Sequence, residues 1–109
     1  MRQYSTIEKE EEVMGTLVFV DLKPKASDVD TMINYLKEVI PDTRSFEGNQ
    51  DINVYHEKDG DRVVMVEHWD SQGHYEKYLA WRTETGVMEK LGAMLDEPPI
   101  IRFADNTGA

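Results

Sequence analysis

The run Arg62–Ser71, RVVMVEHWDS, constrains the fold of this chain more than any other stretch. Val63-Val64-Met65-Val66 is apolar, β-branched and too short for a buried helix, so it reads as a strand. It ends in Glu67, His68 and Trp69 and passes through Asp70-Ser71 into the helix-like GHYEKYLAWR. Strand alternation places Val63, Met65, Glu67 and Trp69 on one face and Val64, Val66 and His68 on the other. A carboxylate and an indole thus share one face at the end of an apolar strand, a position suited to lining a small aromatic-binding pocket.

The remaining elements arrange themselves around this strand. Residues 1–13, with Glu8-Lys9-Glu10-Glu11-Glu12, read as a polar arm outside the core. Met14–Leu22 predicts a first strand, ended by Lys23-Pro24. Ser27-Asp28-Val29-Asp30 predicts a helix start. Val29, Met32, Ile33, Leu36, Val39 and Ile40 then recur at helical spacing, with Pro41 expected to stop the helix. A second strand runs through Ile52, Val54 and His56 to a hairpin turn at Asp59-Gly60. A two-residue turn there sets Ile52 opposite Glu67, Val54 opposite Met65 and His56 opposite Val63. Ser71 caps a second helix carrying Tyr75, Tyr78 and Leu79. A third begins near Val87 and carries Leu91, Met94 and Leu95. After Pro98-Pro99, Ile100–Phe103 forms a closing strand, with 105–109 left as a tail.

This order predicts an α+β domain over residues 14–104, a ferredoxin-like split βαβ with a four-stranded antiparallel sheet. Helices on one side of such a sheet leave the other side bare. Strands one and three are nonetheless apolar on both faces: Leu17 and Phe19 beside Val18 and Val20, and Val63 and Met65 beside Val64 and Val66. A wet face would be polar. A second sheet from an identical subunit would cover it, so a homodimer is expected.

Composition removes several function classes. The 109-residue chain has no cysteine, which excludes disulfides, thiolate metal sites and cysteine nucleophiles. Its net charge of −10 opposes nucleic acid and anionic membrane surfaces. The longest apolar run, Thr16–Leu22, is too short to span a bilayer, and the first residues lack the apolar core of a signal peptide, so the expected location is cytoplasmic. His56 and His68 stand roughly 16 Å apart on opposite strand faces, so no metal site is expected. Neither a G-x-S-x-G nor a glycine-rich phosphate loop is present.

The motifs carry a resemblance. Thr43-Arg44 before the second strand, Gly48 just after, the Glu67-His68-Trp69 strand end, the Asp70-Ser71 helix entry and the closing strand resemble the antibiotic biosynthesis monooxygenase family. That family comprises dimeric α+β-barrel proteins and includes quinol monooxygenases. The resemblance spans roughly residues 14–104. It implies oxygenation of a small quinol or phenol by dioxygen with no metal, flavin or other cofactor. The protein's task is then to hold the aromatic, favour its anion and exclude water.

Carried over residue by residue, the resemblance makes Trp69 and Tyr75 substrate-binding walls, matching the tryptophan and the tyrosine six residues later in the aromatic-polyketide oxygenases. Glu67 becomes a candidate base, with Tyr78 a second candidate catalytic group, and Arg44 a candidate anion contact. Met65 stands on the wall where those oxygenases carry an asparagine. Tyr78-Leu79 occupies the place of a His-Leu pair found in many members. A related haem-degrading branch uses an axial histidine on the second helix, and Tyr75–Val87 contains none. Each residue also has an ordinary reading: Trp69 as core, Glu67 as a hydrogen-bonded structural carboxylate, Tyr75 and Tyr78 as amphipathic packing. The alternative function is accordingly a non-catalytic dimeric protein that binds a small hydrophobic ligand or serves as an accessory module.

Overall fold

The computed structural model describes residues 15–109. The arm over residues 1–13, and Met14 at the expected start of the first strand, lie outside them. Four strands and three helices follow in order: β1 (Thr16–Leu22), α1 (Val29–Arg44), β2 (Asn49–His56), β3 (Val63–Trp69), α2 (Gln72–Glu84), α3 (Val87–Ala93) and β4 (Ile100–Asp105). The strands form one antiparallel sheet in the order β2-β3-β1-β4, the ferredoxin-like arrangement, with all three helices against one face.

Ile52 pairs with Glu67, Val54 with Met65 and His56 with Val63, the register expected from the sequence. The turn that sets it is longer than a two-residue hairpin. Glu57 N–H donates to the Arg62 carbonyl at 2.9 Å, and Asp59 takes a left-handed φ of 56° within the loop between them. Lengthening the loop symmetrically leaves the alternation untouched. Near its start β2 carries an irregularity between Asn49 and Asp51, which shifts the pairing beside Trp69.

β1 and β3 both alternate buried with half-buried residues. The buried set, Val18, Val20, Leu22, Val63, Met65, Glu67 and Trp69, lies under the helices with Ile52. The opposite face presents Leu17, Phe19, Val64 and Val66, and adds the exposed Tyr55 and Ile100.

Pro41 does not end its helix. α1 continues through it to Arg44. Proline forfeits one N–H bond, the one to the Lys37 carbonyl, and both residues are on the solvent side, where water can serve that carbonyl. Ile40 and Thr43 are buried on the opposite side, so packing holds the last turn. A 3-10 turn, Ala26–Asp28, precedes α1, and Asp28 makes no side-chain capping bond. Ser71 does cap α2: its Oγ accepts from His74 N–H at 3.1 Å.

Between α1 and β2, Gly48 has φ +93°, and a Cβ there would lie 2.5 Å from the His74 ring. Its carbonyl accepts from Asp70 N–H at 2.8 Å. Only glycine admits both this backbone angle and this approach. Gly48 therefore locks the start of β2 onto the β3–α2 junction, where Glu67 and Trp69 end their strand.

Candidate functional site

A cavity of about 120 Å³ lies between the sheet and the helices. Its floor is Val20 of β1, Met65 and Glu67 of β3 and Ile101 of β4. Leu36, Val39 and Ile40 of α1 form one wall, and Tyr75, Tyr78, Leu79 and Arg82 of α2 another. Val87, Met88 and Leu91 of α3 close it. A dry cavity of roughly 150 Å³ holds a benzene ring, so this volume is on the scale of one aromatic ring and falls short of two.

Glu67 is 2 % exposed and paired in the ladder between Val18 and Ile52, both buried hydrocarbons. Trp69 sits two residues on, on the same strand face, and its indole Nε1–H donates to Glu67 Oε1 at 2.9 Å. Among the described residues, Oε2 has no protein hydrogen-bond partner. Burial pushes the carboxyl up from 4.5 to about 7, against the smaller opposing effect of the indole bond. The group therefore holds or releases its proton near neutrality.

Tyr75 and Tyr78 lie on the same face of α2 and both line the cavity. Burial raises the pKa of each phenol, and the neighbouring Glu67 raises both further. The Tyr75 hydroxyl has no hydrogen-bond partner among the described residues. Tyr78 belongs to a buried network: its oxygen accepts from Arg82 Nε at 2.9 Å and meets Thr43 Oγ1 at 2.6 Å. Arg82 Nη2 donates to Thr43 Oγ1 at 3.0 Å and also to the Val39 carbonyl. This network ties α2 to the last turns of α1, and the Arg82 and Thr43 bonds partly offset the effect of burial on Tyr78.

The sequence-derived candidates thus separate into three groups. Glu67, Met65, Tyr75 and Tyr78 meet at the cavity. Trp69 stands one layer behind, wholly buried, with its ring 5.7 Å from Tyr75 and 5.0 Å from Tyr78; its contact with the cavity runs through the hydrogen bond to Glu67. Arg44 is elsewhere. Its Nη2 donates to the Ile52 carbonyl at 3.2 Å, and it borders an open groove between α1 and the edge strand β2, beside Lys37 and His56.

Neither Arg82 nor Thr43 has a role at the site in the sequence reading, although Thr43 belongs to the Thr43-Arg44 pair that carries the resemblance. Arginine on a helix reads as a solvated charge, and threonine near a helix end as a polar cap. One signal was present: Tyr75, Tyr78 and Arg82 recur at helical spacing on a single face. Among the described residues, no cluster of three His, Cys, Asp or Glu side chains could hold a metal ion, and no helix is long and apolar enough to cross a membrane.

Known structures share this architecture. A conserved protein from Methanosarcina mazei Go1 superposes with a TM-score of 0.78 at 22% identity, covering 88% of this chain and 96% of its own. Rv0793 from Mycobacterium tuberculosis gives a TM-score of 0.73 at 18% identity over 82% of this chain and 91% of its own. A monooxygenase from the gene ActVA-Orf6 of Streptomyces coelicolor, in complex with the ligand Nanaomycin D, gives 0.75 at 20% identity over 88% and 90%. At these identities the likeness establishes the fold alone. No curated protein matches the chain. The model of the antibiotic biosynthesis monooxygenase family matches residues 16–83, from β1 almost to the end of α2. The chain belongs to the antibiotic biosynthesis monooxygenase family.

Proposed function

We propose that the chain is a cofactor-independent monooxygenase that oxidises a small phenol or quinol with dioxygen in the cavity beneath α2. One observation carries the reading. The buried Glu67 carboxyl, poised near neutrality with a free Oε2, and the unpartnered Tyr75 hydroxyl line the same ring-sized, otherwise largely apolar space. Unpartnered buried polar groups cost roughly 1–3 kcal/mol each, and a hydroxylated aromatic would supply both with partners.

The chemistry follows from these groups. Glu67 accepts the phenolic proton. The resulting phenolate passes one electron to dioxygen, and the two radicals pair to form a C–O bond at an ortho or para carbon that carries hydrogen. Loss of that carbon's proton with cleavage of the O–O bond leaves a quinone and hydroxide. The proton held by Glu67 converts the hydroxide to water. One oxygen atom enters the product and the other leaves as water. Apolar walls keep bulk water from the anion, and Trp69 holds the carboxyl in place.

The active form is a homodimer in which two sheets face each other. Leu17, Phe19, Val64 and Val66, with the exposed Tyr55 and Ile100, form an apolar sheet face that a second copy would cover. Val66→Glu is expected to give monomers by sedimentation; an unchanged dimer would contradict this packing.

The activity is tested by oxygen uptake of the metal-stripped protein with one-ring hydroquinones and phenols, corrected for autoxidation. Uptake above background that disappears in Glu67→Gln supports the reading. Uptake unaffected by Glu67→Gln removes the carboxyl from the mechanism. No uptake across the panel favours the ligand-binding alternative.

A further inference from the structure

We propose that the cavity is built for an anion: a single aromatic ring carrying an ionised oxygen, held by Arg82. The proposal rests on the cavity being the ligand site, and it deepens that reading by naming the charge of what binds there.

Arg82 is 3 % exposed and lines the cavity. A buried guanidinium is ordinarily neutralised by a carboxylate, because an unpaired charge in an apolar interior is costly. Among the described residues no carboxylate makes an ion pair with Arg82; the pairs present are those of Lys23, Arg62 and His68. Its partners are neutral. They are the Tyr78 and Thr43 oxygens, the Val39 carbonyl, and the rings of Tyr78 and Trp81 at 5.3 and 4.6 Å from the guanidinium carbon.

These contacts also leave donors over. Nε–H serves Tyr78, and the two N–H groups of Nη2 serve Val39 and Thr43. Among the described residues the pair on Nη1 has no acceptor. The other ionisable groups of the cavity do not cancel the charge below neutrality: Glu67 is then protonated, and both tyrosines, raised by burial, stay neutral. A phenolate or carboxylate oxygen would supply the missing negative charge and an acceptor for the free donors, while its ring met the apolar walls. In the oxidation proposed above, Arg82 would be the group that makes the phenolate favourable once Glu67 has taken its proton.

Benzoate and benzamide separate this role from a structural one, since they share a shape and differ in charge. Titrations near pH 6, followed calorimetrically and by the methyl resonances of Met65 and Met88, are expected to show benzoate binding at least tenfold tighter than benzamide and shifting those two methyls. In Arg82→Gln the preference is expected to vanish; in Arg82→Lys, which keeps the charge, it persists in weakened form. A purely structural Arg82 would lower the stability of both variants without changing the benzoate-to-benzamide ratio, and that result overturns the proposal. So does equal binding, no binding, or binding elsewhere in the wild-type protein, measurements that need no variant. Oxygen uptake from hydroquinones without an anion preference would refute this proposal alone; an anion preference without uptake would refute only the oxidation.

Discussion

Glu67 ties the site to the stability of the fold, and Glu67→Gln makes that link measurable. Packing between Val18 and Ile52 moves the carboxyl from 4.5 to about 7. In the unfolded chain the group releases its proton near 4.5; in the folded chain it keeps it to about 7. Across that window the folded state binds more protons, so stability falls as pH rises, then levels off above the folded value. Each tenfold change in proton affinity is worth about 1.4 kcal/mol, so the loss between about pH 4 and about pH 8 amounts to about 3 kcal/mol. Glutamine keeps the shape and an oxygen for the Trp69 indole but has no proton to lose. Urea unfolding of both proteins, at one fixed protein concentration and at both pH values, isolates the effect because the other carboxylates titrate in both. The wild type is expected to lose about 3 kcal/mol more than Glu67→Gln. Parallel profiles, or a wild type that gains relative to the variant, would refute the buried, neutral carboxyl.

Three further substitutions probe the surroundings. Trp69→Phe removes the donor that favours the ionised carboxylate, so the Glu67 carboxyl, followed by its carbon resonance, is expected to titrate still higher; a downward move would mean the indole bond is not its main support. Tyr78→Phe deletes the oxygen shared by Arg82 and Thr43 and leaves Nε–H buried without a partner, a loss of roughly 1–3 kcal/mol in chemical denaturation. A loss below about 0.5 kcal/mol would mean the network reorganises freely. Gly48→Ala forces a side chain into a left-handed backbone and against the His74 side chain, and should destabilise by roughly 1–3 kcal/mol; His74→Ala in addition removes the ring but keeps the His74 Cβ, 2.6 Å from the added methyl, and should recover only a fraction of the loss.

Much of this arrangement was legible in the sequence because a strand repeats every second residue. That period alone puts Met65, Glu67 and Trp69 on one face, and the alternation is indifferent to the length of the turn, since the longer loop extends both arms equally. Local rules failed where packing outweighed them. Pro41 reads as a stop, yet the buried Ile40 and Thr43 carry the helix past it. Depth was the harder quantity. Alternation gives Trp69 the same face as Glu67 but not the layer behind the cavity that Phe46, Tyr75 and Tyr78 assign to it. Arg82 was hidden for a related reason: residue type suggests solvent, and its burial depends on the end of α1 packing across α2, a contact between segments about forty residues apart. Arg44 shows the converse, a cation beside a promising motif that the fold turns toward the β2 edge.

The most direct test of the central claim is isotopic. The metal-stripped protein is supplied with a one-ring hydroquinone or phenol under labelled dioxygen, and the product is analysed by mass. Direct oxygenation in the cavity predicts one labelled oxygen atom in the quinone formed from either substrate, the second appearing in water, with product formation abolished in Glu67→Gln. A product without label, or one formed equally by the variant or only after metal is restored, would contradict it.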